Sequence, residues 1–483
     1  MTDHKDNKPT CASRRGFLKF TGASSAVAGM AGLGVWGHRQ GKSPATYTGC
    51  ESFQGAAQCF NRTRFAKDTP HYEVVGPTSR ADGRTEVVFS RMGPLMQALR
   101  KGQGIDDMEE PWKSYYQSHP EHFSLDQETS ELRQKIRTEH ETEGQQLFLA
   151  EAWANAMAAV QPRSIGDTPP VESDFPKSKA PPLSMKSPVS TAKLIKKVSY
   201  EFGSILTGIT KLNPDWVYQY PSRRRGFPMD EPLEVPEHWQ YAIVVGTPMS
   251  WDPMYANPNF GTSQDAYSKS RIVAFRLASF IKQLGYAARP HTPGTDYDLM
   301  VPPILVDAGI GEQGRHSIVV TPELGSNYRP AIVTTNLPLA TDKPIEFGVQ
   351  DFCKTCKICA QQCPSGAISS GDKEVVRGYR RYALNSSRCY QFWNSKLGSM
   401  GCRVCVAACP YTRKSNWVHR SALQLTANDP TGIAHKALIG LQKRFYPGPD
   451  PQGYYAKCLG GKNESYRKPP WWLRADDFID FSS

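Results

Sequence analysis

A cysteine run that begins at residue 353 constrains this chain more than any other feature. It reads CKTCKICAQQCP, so Cys353, Cys356, Cys359 and Cys363 stand two, two and three residues apart and Pro364 follows the last. This spacing lets a short segment surround a cubane iron–sulfur cluster with thiolates. Because such a cluster carries one electron at a time, the run predicts a role in electron transfer.

A second run lies further on, where Cys402, Cys405 and Cys409 precede Pro410 and Cys389 stands upstream. In two-cluster ferredoxins the fourth cysteine of each run binds the other cluster. We therefore predict two 4Fe–4S clusters, the first held by Cys353, Cys356, Cys359 and Cys409 and the second by Cys363, Cys389, Cys402 and Cys405. Zinc, which also takes four thiolates, is the competing interpretation, but zinc ribbons lack the interlocked run.

Composition and charge narrow the class of protein. The 483 residues predict two to four structural units, and no apolar run is long enough to span a membrane. The net charge is +12, and its densest point is Arg223–Arg225. This charge has two interpretations: it attracts an anionic membrane surface or an acidic partner, or it is simply a solvated basic surface. Nucleic acid is not expected as a partner, because no zinc-finger or RNA-binding aromatic motif accompanies the charge.

The N-terminus has the pattern of an export signal. The segment SRRGFLKF, Ser13–Phe20, is followed by a weakly apolar stretch and resembles the twin-arginine signal. That pathway carries folded proteins, which suits clusters assembled before export. We predict that residues 1–38 are the signal peptide and that the mature protein is periplasmic or lies on the outer face of the cytoplasmic membrane.

The rest of the chain divides by composition and periodicity. In the N-terminal part, a helix is predicted from roughly Gln127 to Ala159. In the α/β part we expect a strand near Leu206–Thr210, a buried strand in 240–249 and a helix over 263–286. We also expect a β-pair formed by 317–325 and 329–338. The predicted units are an N-terminal part of the cofactor-binding unit (39–160), a Pro/Ser/Lys-rich loop or linker (161–190), an α/β core (191–346), a ferredoxin-like segment (347–425) and a tail that packs on the core (426–483).

The stretch VDAGIGEQGRHSIVVTPELGSNYRPAIVTTNLPLATDKPIEFGVQDFCKTCKICAQQCPSGAI resembles the signature of the respiratory reductive dehalogenases. These corrinoid and iron–sulfur enzymes remove halogen from organic molecules. The resemblance includes ILTGITKLNPDWVYQY and the twin-arginine start, and it is densest from Thr191 to Trp417. It implies an α/β (α+β) nitroreductase-like corrinoid-binding core with a C-terminal, ferredoxin-like segment that holds two 4Fe–4S clusters.

The resemblance also implies cofactors and site residues. The corrinoid would have no protein histidine ligand, and none of the eleven histidines stands in the usual displacing-ligand motif. Tyr267, in QDAYSKSR, matches the family's catalytic proton donor, and phenols are protonated at neutral pH. Arg315, in GEQGRHS, would stabilise the phenolate. The predicted corrinoid contacts are Gly311, Arg315, Ser317 and Thr321. His291 lies near a third pocket position of the family, and we interpret it as a surface histidine.

The function implied is reductive dehalogenation of a small organohalide, as the terminal reductase of organohalide respiration. The family's usual partners are a small integral membrane anchor protein and an electron donor that is the quinone pool or a membrane oxidoreductase. One alternative is an epoxyqueuosine-reductase-like corrinoid enzyme, against which the export signal argues. The other is a non-enzymatic iron–sulfur electron carrier, against which the length of the α/β core argues.

Overall fold

The structure is a computed structural model, and it describes residues 62–138, 148–159, 173–177, 180–220, 231–254, 256–292, 298–413, 417–429, 431–445 and 471–480. The predicted signal peptide, residues 161–172 and 178–179 of the predicted linker, and the arginines at 223–225 lie outside these residues. No helix in the described part of the chain is both long and apolar enough to cross a membrane.

A four-stranded sheet forms the centre of the fold. Its order is β2-β3-β7-β4 and all neighbours are antiparallel. The strands are β2 (Leu206–Lys211), β3 (Tyr241–Pro248), β4 (Ala288–His291) and β7 (Tyr328–Thr335). The sequence predictions for β2 and β3 are confirmed.

Helices cover both faces of this sheet, which explains why β3 is apolar along its whole length. Ile243 and Val245 point to one face, against α5 (Pro188–Glu201) and α7 (Phe260–Gln283). Ala242 and Val244 point to the other, against α8 (Val301–Asp307). The alternation of a strand sends successive side chains to opposite faces, so a strand buried on both sides needs apolar residues at every position. The result is a mixed α/β layered core, as predicted.

The N-terminal residues form a helical unit with its own small core. It contains α1 (Val88–Arg100), α2 (Trp112–Ser118) and α3 (Pro120–Thr138), which enclose Met92, Leu95 and Tyr116. The helix α4 (Phe148–Ala159) packs on α7 instead. The range predicted as one helix, Gln127 to Ala159, contains most of α3, which starts at Pro120, and all of α4. Residues 139–147 between them lie outside the described part of the chain.

The cysteine segment is built from short helices and one hairpin. The helices are α9 (Val349–Thr355), α10 (Ile358–Gln361), α11 (Ser386–Leu397) and α12 (Val404–Ala408), and the hairpin pairs β8 (Glu374–Val376) with β9 (Tyr379–Arg381). The N-terminal strand β1 (Glu73–Val74) adds to β9, and α3 packs on α11. The N-terminal unit thus contacts the cysteine segment directly.

Beyond this segment lie α13 (Trp417–Ala427), α14 (Ile433–Phe445) and two single turns near the C-terminus. The indole of Trp472 is buried against α4, where its ring lies 4.7 Å from that of Trp153, and its Nε1 donates to the carbonyl of Pro258 at 2.6 Å. The end of the tail therefore packs against the α/β core. Also present are α6 (Trp251–Met254), β5 (Glu312–Gln313) and β6 (Val319–Val320).

Two sequence predictions about these elements need correction. The β-pair of 317–325 with 329–338 is wrong, because β6 pairs with β5 while β7 joins the central sheet. The reason is local: after β6 the chain turns back on itself between Thr321 and Gly325, and Gly325 has a φ of +59°. The linker also ends earlier than residue 190, because Ser187 caps α5 and Pro188 is its first residue.

Candidate functional site

The four cysteines predicted for the first cluster come together. Cys353, Cys356, Cys359 and Cys409 line one cavity, which also has Phe352, Tyr411 and His316 in its walls. Cys353 lies on α9, Cys359 on α10, and Cys409 directly after α12, so the second run closes the site that the first begins. The swapped arrangement of the two runs predicts this grouping.

The loop 311–315 holds the first cysteine segment at two points. Glu312, which is 1% exposed, accepts hydrogen bonds from the backbone N–H groups of Phe347 (2.6 Å), Val349 (3.1 Å) and Gln350 (3.2 Å) at the start of α9. Burial raises the pKa of Glu312 to about 7, and the three N–H groups oppose that rise. At the other end of the helix, Arg315 donates to the carbonyl of Cys353 from Nε and Nη2.

Arg315 makes further contacts within this segment. Its Nη1 donates to the carbonyls of Ser369 (3.0 Å) and Gly371 (2.7 Å), and its guanidinium lies 4.1 Å from the ring centre of Tyr382. Arg315 is 2% exposed, and these contacts fix the chain around the first cluster site. The structure therefore places this predicted catalytic residue among the cluster ligands.

The second set of cysteines is also brought together. Cys389 lies on α11, Cys363 follows α10, and Cys402 and Cys405 flank the start of α12. Burial, and next the electrostatic interaction with Cys402 and Cys363, raise the pKa of the Cys389 thiol, and Cys405 interacts electrostatically with all three of these cysteines.

Burial raises the pKa of thiols in both cysteine sets. It raises the pKa of Cys356 and Cys389 to about 12 and that of Cys402 to about 11. Iron binds the thiolate form, so assembly of either cluster must release protons. The charge of the thiolates is then held in a largely apolar environment.

Tyr267 lies half-buried on α7, and the cation beside it is Arg329. The guanidinium carbon of Arg329 is 5.0 Å from the ring centre of Tyr267, within the range of a cation–π contact. Arg329 stands near the start of β7, opposite Thr247 of β3, so the sheet fixes its backbone. The described residues thus place Arg329, which sequence reasoning missed, beside Tyr267, and the role of Arg315 toward the phenolate stays a prediction. The sequence feature that could have pointed to Arg329 is its position as a charged residue at the start of an otherwise apolar strand.

A second arginine reaches the same place from the cysteine segment. Arg403 is 4% exposed; its Nη1 donates to the carbonyl of Cys402 at 2.7 Å and its Nη2 to the hydroxyl of Ser263. Arg329 donates to the same hydroxyl from Nη2 at 3.3 Å. Burial, and next the neighbouring Arg329, lower the pKa of Arg403 to about 9. Ser263 precedes Tyr267 by one helical turn, so all four groups share one side of α7.

The other predicted corrinoid contacts have roles within the protein. A Cβ atom at Gly311 would lie 1.9 Å from the carbonyl oxygen of Val320, so glycine permits the pairing of β5 with β6. The hydroxyl of Ser317 donates to the carbonyl of Tyr382, and that of Thr321 accepts from the N–H of Leu324. Their roles toward a corrinoid stay predictions.

His291 is buried, not exposed as we predicted. It is 0% exposed on β4, with Nε2 2.9 Å from the hydroxyl of Thr334 and Nδ1 3.5 Å from the carboxylate of Asp298. Burial lowers the pKa of His291. The surface interpretation fails because β4 pairs with β7 and Trp239 covers the imidazole edge-on.

Comparison with known proteins supports the cluster segment and the fold. Residues 352–412 match the model of the 4Fe-4S dicluster domain, so the iron–sulfur interpretation is confirmed over zinc. The solved structure of the catabolic reductive dehalogenase NpRdhA shares the fold, with a TM-score of 0.58 at 22% identity over 80% of this chain and 49% of that one.

Curated relatives carry the same family name. The chain is 30% identical to the tetrachloroethene reductive dehalogenase of Sulfurospirillum multivorans over 338 residues, 62% of this chain and 64% of that protein. It is 32% identical to the tetrachloroethene reductive dehalogenase of Dehalobacter restrictus over 48% of this chain and 50% of that protein. The predicted resemblance is confirmed: the chain is similar in sequence to the reductive dehalogenases. It spans about half to two thirds of the length of these relatives.

Proposed function

We propose that this protein is a reductive dehalogenase that replaces halogen by hydrogen on a small organohalide. The observation that carries the proposal is the position of Tyr267: a half-buried phenol faces Arg329, and Arg403 connects this place to the carbonyl of Cys402 in the second cluster site. The proposed proton donor thus lies next to the predicted electron relay. The curated proteins to which the chain is similar are named reductive dehalogenases.

The reaction needs two electrons and one proton for each halogen. The carbon–halogen bond breaks, a carbon–hydrogen bond forms, and the halogen leaves as halide. We assign the proton to the Oη of Tyr267, and Arg329 stabilises the phenolate that remains. The two cysteine sets would hold the clusters, which would supply electrons one at a time from an external donor.

A corrinoid is the reducing centre in this proposal, supplying low-valent cobalt when bound. The residues around Tyr267 fit such a group, because buried polar atoms there have no partner in the described part of the protein. These atoms are the Oδ1 of Asn259, which directly precedes α7, and the Oδ1 of Asn327, two residues before Arg329. The amide side chains of a corrinoid supply donors and acceptors for such atoms. The finer description of the α/β core as nitroreductase-like belongs to this proposal, as does the absence of a histidine ligand.

The proposed location rests on the N-terminal sequence, and the proposed partners rest on the resemblance to the family. The segment SRRGFLKF supports export by the twin-arginine pathway to the outer face of the cytoplasmic membrane. There we place the protein next to a small integral membrane anchor protein, with electrons from the quinone pool or a membrane oxidoreductase. Residues 191–346 are the proposed corrinoid-binding core and 347–425 the electron-transfer unit.

Cofactor content tests the proposal first. The chain is purified without oxygen, supplied with cobalamin, and assayed for iron, sulfide, corrinoid and release of halide from a panel of organohalides. We expect about eight irons, as two 4Fe–4S clusters require, together with one corrinoid and reductant-dependent halide release. Eight irons without corrinoid and without halide release would favour an electron carrier instead.

A further inference from the structure

Two guanidinium groups beside Tyr267 have no acidic partner. Within the described residues Arg329 and Arg403 form no ion pair, and the hydroxyl of Ser263 is the one group that both contact. Other arginines that join parts of this fold are paired with carboxylates: Arg91 with Asp126 at 2.6 Å, Arg62 with Glu323 at 2.7 Å, and Arg289 with Asp298 at 3.1 Å. The pair near Tyr267 departs from this pattern.

Both arginines leave the same edge available. In each, Nη1 donates to a backbone carbonyl, that of Tyr328 for Arg329 and that of Cys402 for Arg403. In each, Nη2 donates to Ser263 and Nε has no partner. Nε and Nη2 form one side of the guanidinium, and that side binds carboxylates through two parallel hydrogen bonds. One neutral hydroxyl does not fill two such edges.

The second cluster accounts for only part of this positive charge. Cys402 and Cys405 act on Arg403 electrostatically, so their thiolates and the cluster offset the charge of that arginine. Arg329 has no such group among the residues that the structure describes. One positive charge therefore remains without a counter-charge at the place where the substrate would bind.

We propose that the substrate carries an anionic oxygen, a carboxylate or a phenolate, which binds between the buried, unpartnered Nε groups of Arg329 and Arg403 next to Ser263. This inference rests on the proposed dehalogenase function and names its substrate class. Tyr267 lies four residues after Ser263, about 6 Å along α7. A compact halogenated acid held at Ser263 would thus present its carbon–halogen bond near the proton donor.

Matched pairs of acids and amides test the proposal. Halide release by the corrinoid- and cluster-loaded protein is measured with meta-chlorobenzoate against meta-chlorobenzamide, with chloroacetate against chloroacetamide, and with trichloroethene. We expect at least one acid to exceed its amide by roughly 10- to 100-fold in kcat/KM, the value of a hydrogen-bonded charge. Arg403→Met should bring that ratio close to one, and Arg403→Lys should restore part of it.

Controls separate this site from a general effect of charge. Arg380→Met removes an exposed arginine that pairs with Glu73 on the surface, and it should leave the ratio unchanged. Binding of benzoate, measured by calorimetry on the loaded protein, gives a readout that needs no turnover. We expect saturable binding that weakens by roughly 10-fold or more in Arg403→Met.

Three results would overturn the inference. The first is turnover of the amides or of trichloroethene at least as fast as that of the acids. The second is equal loss of acid and amide turnover in Arg403→Met, with a shift in the midpoint potential of the second cluster, which would make Arg403 only a counter-charge to that cluster. The third is absence of benzoate binding. If the loaded protein releases halide from no compound, including trichloroethene, the proposed function itself fails.

Discussion

Tyr267 illustrates how one side chain depends on three separate parts of the chain. Its own helix, α7, supplies the phenol and Ser263; β7 supplies Arg329; and the loop before α12 supplies Arg403. The phenol gains chemical use from this setting, because a cation nearby favours the phenolate that proton transfer produces. An ordinary helix tyrosine has no such support.

Tyr267→Phe tests the proton donor while changing one oxygen atom. We expect turnover to fall by roughly 100-fold or more, because a positioned general acid contributes about that much. Iron and corrinoid content should not change, since the ring remains in place. Tyr286→Phe is the matched control: Tyr286 lies just beyond the end of α7, and its hydroxyl donates to the carbonyl of Leu183. Unchanged turnover in Tyr267→Phe would remove the assignment.

Substitutions of Arg329 and Arg315 should have different effects on turnover and on iron content. Arg329→Met should lower turnover by roughly 100-fold or more with full iron content, because it removes a preorganised charge at the reacting group. Arg315→Met should instead lose roughly half of the iron expected for two clusters, because its hydrogen bonds hold the first cluster segment. Assays of iron content and halide release on both variants distinguish a catalytic role from a role in holding the first cluster. Full iron with lost turnover in Arg315→Met would support the original sequence prediction.

Sequence alone could not separate these arginines. Both lie in the stretch that resembles the family, and in that resemblance Arg315, in GEQGRHS, matched the family's cation. What separates them is long-range: β7 pairs with β3 and brings Arg329 to α7, while β5 turns Arg315 toward Cys353. The cysteines, by contrast, were predictable because their spacing alone specifies the ligand set.

At the scale of elements, long apolar runs were predictable and short ones were not. β3 and α7 follow from their own patterns, because each buries many residues whatever its neighbours are. β6 has only two residues, and its partner depends on the turn at Gly325 rather than on its own sequence. A pair of valines does not specify which strand it joins.

The helix α9 depends on a buried carboxylate for its N-terminus. Glu312 accepts three backbone hydrogen bonds there, and burial raises its pKa to about 7. The folded state then holds a proton that the unfolded state releases above about pH 4.5. Stability from this group is therefore full below that pH and is lost as the pH rises through 7.

Glu312→Gln should remove this pH dependence. The free energy of unfolding is measured for wild type and variant by urea denaturation. The value for wild type minus that for the variant should fall by up to about 3 kcal/mol from pH 4.5 to pH 8. Glu374→Gln, on the exposed face of β8, is the control and should show no such slope. A difference that stays constant over this range would mean that Glu312 is ionised throughout.

At the scale of the molecule, the N-terminal unit acts as a support for the second cluster. α3 packs on α11, the helix that carries Cys389, and β1 extends the hairpin of the cysteine segment. The contact is anchored by Arg91, which pairs with Asp126 at 2.6 Å and donates to the hydroxyl of Ser387 on α11. Both members of the ion pair are 1% exposed or less.

Asp126→Ala should therefore act on a cluster to which it contributes no ligand. Removal of the carboxylate leaves the charge of Arg91 buried and unpaired, which costs roughly 3–5 kcal/mol. Since Arg91 also holds Ser387, α11 should loosen and the second cluster should be lost first, leaving roughly four irons in place of eight. Glu73→Gln breaks the exposed pair with Arg380, which is worth no more than about 1 kcal/mol, and should keep all of the iron. If Asp126→Ala retained its iron and its thermal stability, the N-terminal unit would be a separate domain that merely touches the cluster segment.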